Sequence, residues 1–307
     1  MNIASIDIGT NTVLLLIAEV NPNEIALNPL LNVHRMPRLG KGVKPGSPIL
    51  VERIDELKNI LKEYVQICKN YTVERIIITA TNVFRISSNS AEICHELERE
   101  MDLKINIVSG DEEAELSFLG ATSAISNKNE FLVIDIGGGS TEIISGSRSK
   151  HVFSKSFQVG AVSSTEQFFR NDPPEQSQMI ELEQHLITCF DELILTNTDN
   201  STPIAIAGTP TTLACIKHKL QDFDDKVIEL SNLTQSEMLS IVSDLSKMTS
   251  KQIDDKWPKI MRGRSDIILA GSIILLIIMK LLKLDNVYTS SRGIRYGAII
   301  KYMMDNF

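Results

Sequence analysis

Residues Phe131 to Ile144 read FLVIDIGGGSTEII. Phe131 to Ile136 is a short apolar run rich in β-branched residues, the pattern of a strand buried on both faces, and Asp135 interrupts it just before a turn. A carboxylate there is costly unless a cation is paired with it. Gly137, Gly138 and Gly139 expose backbone N–H groups without Cβ hindrance, so a phosphate can approach closely, and Ser140 and Thr141 add hydroxyl donors. Glu142 returns a second carboxylate toward the same turn. The stretch reads as a phosphate cradle beside a Mg²⁺ site; the bland alternative is a glycine-rich hairpin with an accidental acid.

An internal repeat favours the cradle. Ile6-Asp7-Ile8-Gly9-Thr10-Asn11-Thr12 resembles Ile134-Asp135-Ile136-Gly137-Gly138-Gly139-Ser140-Thr141, and each copy sits between two apolar runs. A unit of this size repeated once implies two related halves, each presenting a strand–turn–strand hairpin, with two phosphate loops facing each other across a cleft.

Bulk properties narrow the class. With 307 residues and 43% hydrophobic composition the chain is globular and long enough for two domains, each with its own core. A net charge of −8 argues against a broad nucleic-acid or anionic-membrane surface, so a polyanionic ligand needs a locally basic site. Cys68, Cys94, Cys189 and Cys215 lie far apart, with no CxxC pair and no metal-type Cys/His spacing. Because Met1 leads directly into a strand, no signal peptide is expected, and reduced thiols in a cytoplasm are. Ile267 to Met279 is the most apolar stretch, yet it is shorter than the ~20 residues needed to span a bilayer and reads as a buried core helix.

Along the chain, Asn2 to Ile6, Val13 to Val20 and Glu24 to Val33 read as an antiparallel meander. Arg38-Leu39-Gly40-Lys41-Gly42 follows as a glycine-rich loop with two cations, either a ligand contact or a solvated connector. Pro48 to Asn70 is helical, with Ile54, Leu57, Leu61, Val65 and Cys68 on one face. Arg75 to Ala80 is a strand, and Arg85 emerges beyond its C-terminal end, where ligands bind in open α/β sheets; its guanidinium fork suits two phosphate oxygens. A helix over Ser90 to Met101 and a strand over Lys104 to Val108 complete the first unit.

Asp111, Glu112, Glu113 and Glu115 open the next helix. Acids at a helix start stabilise the macrodipole and cap orphan N–H groups, which accounts for most of them. One of them emerges at a strand's C-terminal end, a location suited to activating water beside a phosphate. A helix is expected from Pro174 to Leu195, with His185 beside its apolar stripe as a packing residue. Pro203 to Ala207 is a strand running into Gly208-Thr209-Pro210-Thr211-Thr212, a third strand–glycine turn–helix junction able to receive a phosphate or nucleotide. Thr234 and Glu237 form a capping box, Trp257 packs, and Arg262, Arg264 and Asp266 sit where the apolar helix begins, the arginines placed to face a cleft. Asn286 to Ser290 is a last strand, and Gly293, Arg295 and Gly297 lead a terminal helix. Repeated βα units make this an α/β protein.

Together the three glycine motifs resemble the two phosphate motifs and the adenosine motif of the actin, sugar kinase and heat-shock chaperone superfamily. Within it the chain is most similar to the bacterial exopolyphosphatase and guanosine pentaphosphatase (Ppx/GppA) phosphatase family, on Ala80-Thr81-Asn82-Val83-Phe84-Arg85, Ser109-Gly110-Asp111-Glu112-Glu113-Ala114, Arg264-Ser265-Asp266 with Ala270-Gly271, and Ser291-Arg292-Gly293-Ile294-Arg295-Tyr296-Gly297. The resemblance implies two ribonuclease H-like domains of the actin-like ATPase fold with an interdomain cleft, residues 1–119 plus 291–307 and residues 120–290, the C-terminal helix returning to the first. It implies hydrolysis of a terminal phosphoanhydride in inorganic polyphosphate or guanosine pentaphosphate, the latter a link to the stringent response.

In that reading Glu113 matches the family's catalytic base, and Asp135 and Glu142 its metal-side carboxylates for Mg²⁺ or Mn²⁺. Thr10, Asn11, Thr12, Arg85, Gly137, Gly138, Gly139, Ser140 and Thr141 map to phosphate binding. A cytoplasmic enzyme without nucleic-acid or membrane partners is implied, and a homodimer is allowed. Thr10 and Thr12 stand where serines are usual, which keeps both hydroxyls. Pro210 removes one N–H from the third turn, which bears on whether adenosine sits there. The chain ends at Phe307 without the long helical extension of the family's longer members, which bears on grip of long polyphosphate. A small-molecule kinase of the same superfamily and a non-catalytic nucleotide or polyphosphate sensor are the alternatives, and the fold alone does not decide among them.

Overall fold

The N-terminal meander forms as read: β1 (Asn2–Ile8), β2 (Val13–Asn21) and β3 (Ala26–Arg35) pair antiparallel in sequence. The computed structural model describes residues 1–21, 26–147, 150–195 and 200–307, so Glu24 and Ile25 of the expected third strand lie outside the described residues. The chain divides into two units, Met1–Ser123 with Gly293–Phe307, and Ala124–Arg292.

In the first unit, β1 is buried along both faces because Ile6 and Ile8 serve one side and Ile3 the other. It pairs in parallel with β4 (Arg75–Ala80), which pairs with β5 (Ile105–Ile107), giving the order β3-β2-β1-β4-β5. Helices α1 (Val51–Asn70), α2 (Asn82–Ile86), α3 (Ser90–Met101) and α4 (Gly110–Thr122) lie between the strands. Leu57, Leu61, Tyr64 and Cys68 of α1 join Ile6, Ile8, Leu15 and Ile78 in one core. The helix starts at Val51 rather than at Pro48 because Asn89 pins the backbone of Ile49 from both sides, accepting from its N–H at 2.9 Å and donating to its carbonyl at 3.0 Å.

In the second unit, β6 (Glu130–Ile136), β7 (Thr141–Ser147) and β8 (Lys150–Phe157) form a second antiparallel meander. Helices α5 (Ala161–Phe168) and α6 (Gln176–Cys189) follow, and a short 3₁₀ segment covers Asp191–Leu195, so the helix expected over Pro174 to Leu195 is broken. The break falls at Phe190, which is fully buried with its ring 4.8 Å from that of Phe157. Then come β9 (Thr202–Ile206), α7 (Gly208–Lys217), α8 (Asp225–Ile228), β10 (Asn232–Thr234), α9 (Gln235–Leu245), α10 (Ser250–Lys256), α11 (Pro258–Met261), α12 (Ile268–Leu281) and β11 (Asn286–Thr289). The sheet order β8-β7-β6-β9-β11 repeats that of the first unit, with β10 added at the edge. Both sheets thus follow the pattern 3-2-1-4-5 of the ribonuclease H-like domain, the architecture that the family resemblance implies.

The apolar stretch is α12, buried from Ile268 to Met279 within the core of its unit. Among the described residues no helix is long and apolar enough to cross a membrane. All four cysteines are free, and burial pushes the Cys68 and Cys215 thiols up to about 11.

The last helix, α13 (Ile294–Asn306), belongs to the first unit, where Tyr296, Ile299 and Met303 cover Ile3, Leu16, Ala18 and Val20 on the sheet face away from α1. It touches α4 backbone to backbone. A Cβ on Gly297 would sit 1.8 Å from the Leu116 carbonyl oxygen, and one on Gly120 would sit 2.1 Å from that of Gly293. Lys301 and Glu115, 3.1 Å apart, clip the same two helices. Because rigid backbone blocks the added methyl, Gly297→Ala is expected to cost about 1–3 kcal/mol, at the upper end, in urea unfolding. An unchanged midpoint would mean that the helices separate freely.

Candidate active site

The two glycine turns are built alike. Ile8 pairs with Val13 and Ile136 with Thr141, so each hairpin closes over four residues. Gly9 N donates to Thr12 O at 2.9 Å, and Gly137 N donates to Ser140 O at the same distance. A neighbouring segment then ties down the carbonyls of each turn. Gly40 N reaches Thr10 O at 2.8 Å and Arg38 N reaches Asn11 O at 3.1 Å; Ala161 N reaches Gly137 O at 3.0 Å, and Val162 N and Ser163 N reach Gly138 O at 2.8 and 3.1 Å. By contrast the amides of Thr10, Asn11 and Thr12, and of Gly138, Gly139 and Ser140, have no backbone acceptor among the described residues. Carbonyls held back and amides left open make a nest that suits an anion.

Glycine at the buttress positions follows from close approach. A Cβ on Gly40 would sit 2.2 Å from Thr10 Cγ2, and one on Gly160 would sit 2.5 Å from the Gly138 carbonyl. The loop over Arg38 to Gly42 is therefore no solvated connector: Leu39 is buried and Gly40 seats the first turn. Asn11 places its amide 3.9 Å from Met36 Sδ, and Ser140 is buried in its turn. The Thr141 hydroxyl is fully buried and donates to Val159 O at 2.6 Å, so it holds the second turn against the segment after β8.

Register brings the two expected metal-side carboxylates together. Asp135 on β6 stands directly opposite Glu142 on β7, and opposite residues in an antiparallel pair project to the same face with Cβ atoms about 5 Å apart. Like charges so placed repel unless a cation or a proton intervenes. Glu142 is 5% exposed and accepts from Ser156 Oγ at 2.7 Å. Among the described residues no three His, Cys, Asp or Glu side chains converge as a ready-made metal cage. Two carboxylates nevertheless suit Mg²⁺, which keeps several waters and takes other ligands from substrate phosphate.

The acids at the start of α4 separate by role. Ser109 and Glu112 make the capping box, with Glu112 N donating to Ser109 Oγ at 3.2 Å and Ser109 N donating to Glu112 Oε2 at 2.8 Å. That exchange holds the Glu112 carboxyl below the usual carboxylate range. Glu113, one residue on, is turned inward and 9% exposed. Its Oε2 lies 2.5 Å from Arg85 Nη1, which also donates to Val108 O at 2.9 Å. The expected base and the expected phosphate clamp are thus an ion pair at the ends of β4 and β5.

Some site features escaped the sequence. The sequence pattern assigns no role to Asp7. Its carboxyl is pushed up to about 6 by burial, against the opposing pull of the Arg295 guanidinium, and its shielded Oδ1 has no hydrogen-bond partner among the described residues. Such a perturbed carboxylate beside an anion nest is a functional candidate. Glu229 accepts from Ser290 Oγ at 2.6 Å, from Ser291 N at 2.9 Å and from Ser291 Oγ at 3.0 Å, fixing the segment that leads to Gly293. At the third motif Ala207 adopts φ 75°, and a Cβ on Gly208 would sit 2.3 Å from Arg264 Nε. Arg264 therefore packs on that turn, and Arg262 lies over the Phe223 ring at 4.3 Å. The apolar helix begins at Ile268, directly after these residues, as its sequence reads.

Comparison with known proteins supplies the family. The model of the Ppx/GppA phosphatase family matches residues 16–306. Exopolyphosphatase 2 of Mycobacterium tuberculosis is 32% identical over 89% of this chain and 88% of its own length. The bifunctional 3-dehydroquinate synthase/phosphatase of Fusobacterium nucleatum is 33% identical over 97% of this chain, which spans 46% of that protein's length. The crystal structure of the Aquifex aeolicus member of the Ppx/GppA family superposes with a TM-score of 0.86 at 28% identity, covering 100% of this chain and 99% of that one. A family model that matches nearly the whole sequence, and a relative 32% identical over 89% of it, lead to one conclusion: the chain belongs to the Ppx/GppA phosphatase family.

Proposed function

We propose that the chain hydrolyses the terminal phosphoanhydride of inorganic polyphosphate, releasing orthophosphate, with guanosine pentaphosphate as the other substrate that presents the same bond. The observation that carries this reading is the placement of Glu113, inward-facing and 2.5 Å from Arg85, while its neighbour Glu112 alone serves the helix cap. Family membership and the name of the mycobacterial relative support the substrate class.

A terminal phosphate is anionic and repels an incoming hydroxide, so the site must neutralise charge before water can attack. In this reading the open amides of a glycine turn bind phosphate oxygens, and within the first unit Arg85 exchanges part of its pairing with Glu113 for a phosphate oxygen. Glu113 then orients a water and takes its proton. Asp135 and Glu142 would hold Mg²⁺ or Mn²⁺, which when bound supplies charge neutralisation to the transferred phosphoryl group and its leaving oxygen.

The test is phosphate release from polyphosphate and from guanosine pentaphosphate, set against phosphoryl transfer from ATP to small acceptors. Release without an acceptor is expected; transfer alone would make the chain a kinase, and binding without turnover a sensor. Chelator-stripped protein is expected to lose release and to regain it with Mg²⁺ or Mn²⁺. Full activity without a divalent ion would remove the metal from the reading.

A further inference from the structure

Asp135, Glu142 and Ser156 stand in one rung of the second sheet. Asp135 is paired with Glu142 across β6 and β7, and Glu142 with Ser156 across β7 and β8. Directly opposed residues share a face, so one carboxylate has the other on one side and a hydroxyl on the second. Ser156 Oγ donates to Glu142 Oε1 at 2.7 Å. The terminal torsion of a glutamate is broad and roughly two-fold, so a hydroxyl fixed on one oxygen sets the plane of the group and directs the other oxygen. The corresponding rung of the first unit places Leu14 opposite Asp7, so the carboxylate pair belongs to the second turn alone.

We infer that Ser156 is a positioning residue that orients the Glu142 carboxylate toward a divalent cation shared with Asp135. This rests on the metal-assisted reading given above. Ser156 makes no contact with substrate in this role; it acts through Glu142, as the hydrogen-bond partners of metal ligands generally do. Ser156 is itself exposed, so its truncation to Ala empties no core and leaves the sheet pairing intact.

The experiment is Mn²⁺ binding to the metal-free protein without substrate, followed by electron paramagnetic resonance and calorimetry, on wild type, Ser156→Ala, Ser156→Thr and Glu142→Gln. Ser156→Ala is expected to weaken Mn²⁺ binding about 10- to 100-fold, the usual effect of removing such a partner, with the melting temperature of the metal-free protein nearly unchanged. Ser156→Thr keeps the hydroxyl and should bind as wild type does. Glu142→Gln should lose most binding. Wild-type affinity in Ser156→Ala, with Glu142→Gln still defective, would overturn the role of Ser156 and leave the metal site standing. Equal weakening in the Ala and Thr variants would assign the effect to packing and also overturn it. Absence of binding in the wild type, or full binding in Glu142→Gln, would remove the metal site itself.

Discussion

Glu113→Gln is expected to lower kcat by about 10²–10⁴-fold while polyphosphate affinity and the fold persist. The substitution keeps the shape of the side chain, and the amide oxygen can still accept from Arg85 Nη1, which lies 2.5 Å from the native Oε2. What disappears is the proton acceptor. Glu112→Gln is the control: glutamine still completes a capping box, so stability should fall by at most about 1 kcal/mol and turnover should hold. Glu115 is a poorer substitute for the base because it is engaged by Lys301 at 3.1 Å on the α13 side of its helix. Measured together, kcat, melting temperature and polyphosphate affinity separate the roles. Near-normal kcat in folded Glu113→Gln protein would take the base assignment away from it and turn attention to Glu142.

Where the sequence was legible, the physics is local. Strand periodicity and turn chemistry placed β1, β2, β4, β6, β7 and β9, and the repeated Asp-Ile-Gly signature correctly announced two similarly built hairpins. Long-range packing was less accessible. Nothing in Arg38 to Gly42 says that Gly40 will seat itself against Thr10, since the contact joins residues far apart in sequence. Helix periodicity likewise misplaced the start of α1, because the side chain that holds Ile49 out of the helix is Asn89. As a string the four acids at the start of α4 are separated only by the family resemblance, which singles out Glu113. Helical geometry separates them, since successive residues turn by about 100° and only Glu113 faces Arg85.

Asp7→Asn is expected to stabilise the protein at neutral pH and to impair turnover. The carboxyl of Asp7 is raised in the folded state from 3.8 to about 6, chiefly by burial. Below about pH 4 the group is protonated in both folded and unfolded chains and contributes nothing. Between about pH 4 and 6 the folded protein keeps a proton that the unfolded chain has released, so native stability declines as pH rises through this window. Above about pH 6 the full penalty is present, on the order of 3 kcal/mol for a shift of about two units. An asparagine removes the charge and so the pH-dependent part of the cost. The unfolding midpoint of Asp7→Asn in urea should therefore exceed that of the wild type at pH 7.5, and the gap should close as the pH is lowered toward 4. A half-buried charge with one oxygen shielded from solvent, which lowers stability in this way at the end of β1 beside an anion nest, is the trade expected of a functional group, so phosphate release should fall as stability rises. Coincident midpoints at pH 7.5 would show that the charge is compensated in the native state. Full activity in a stabilised Asp7→Asn protein would separate the cost of the charge from the chemistry and leave Glu113 and Arg85 to account for catalysis without it.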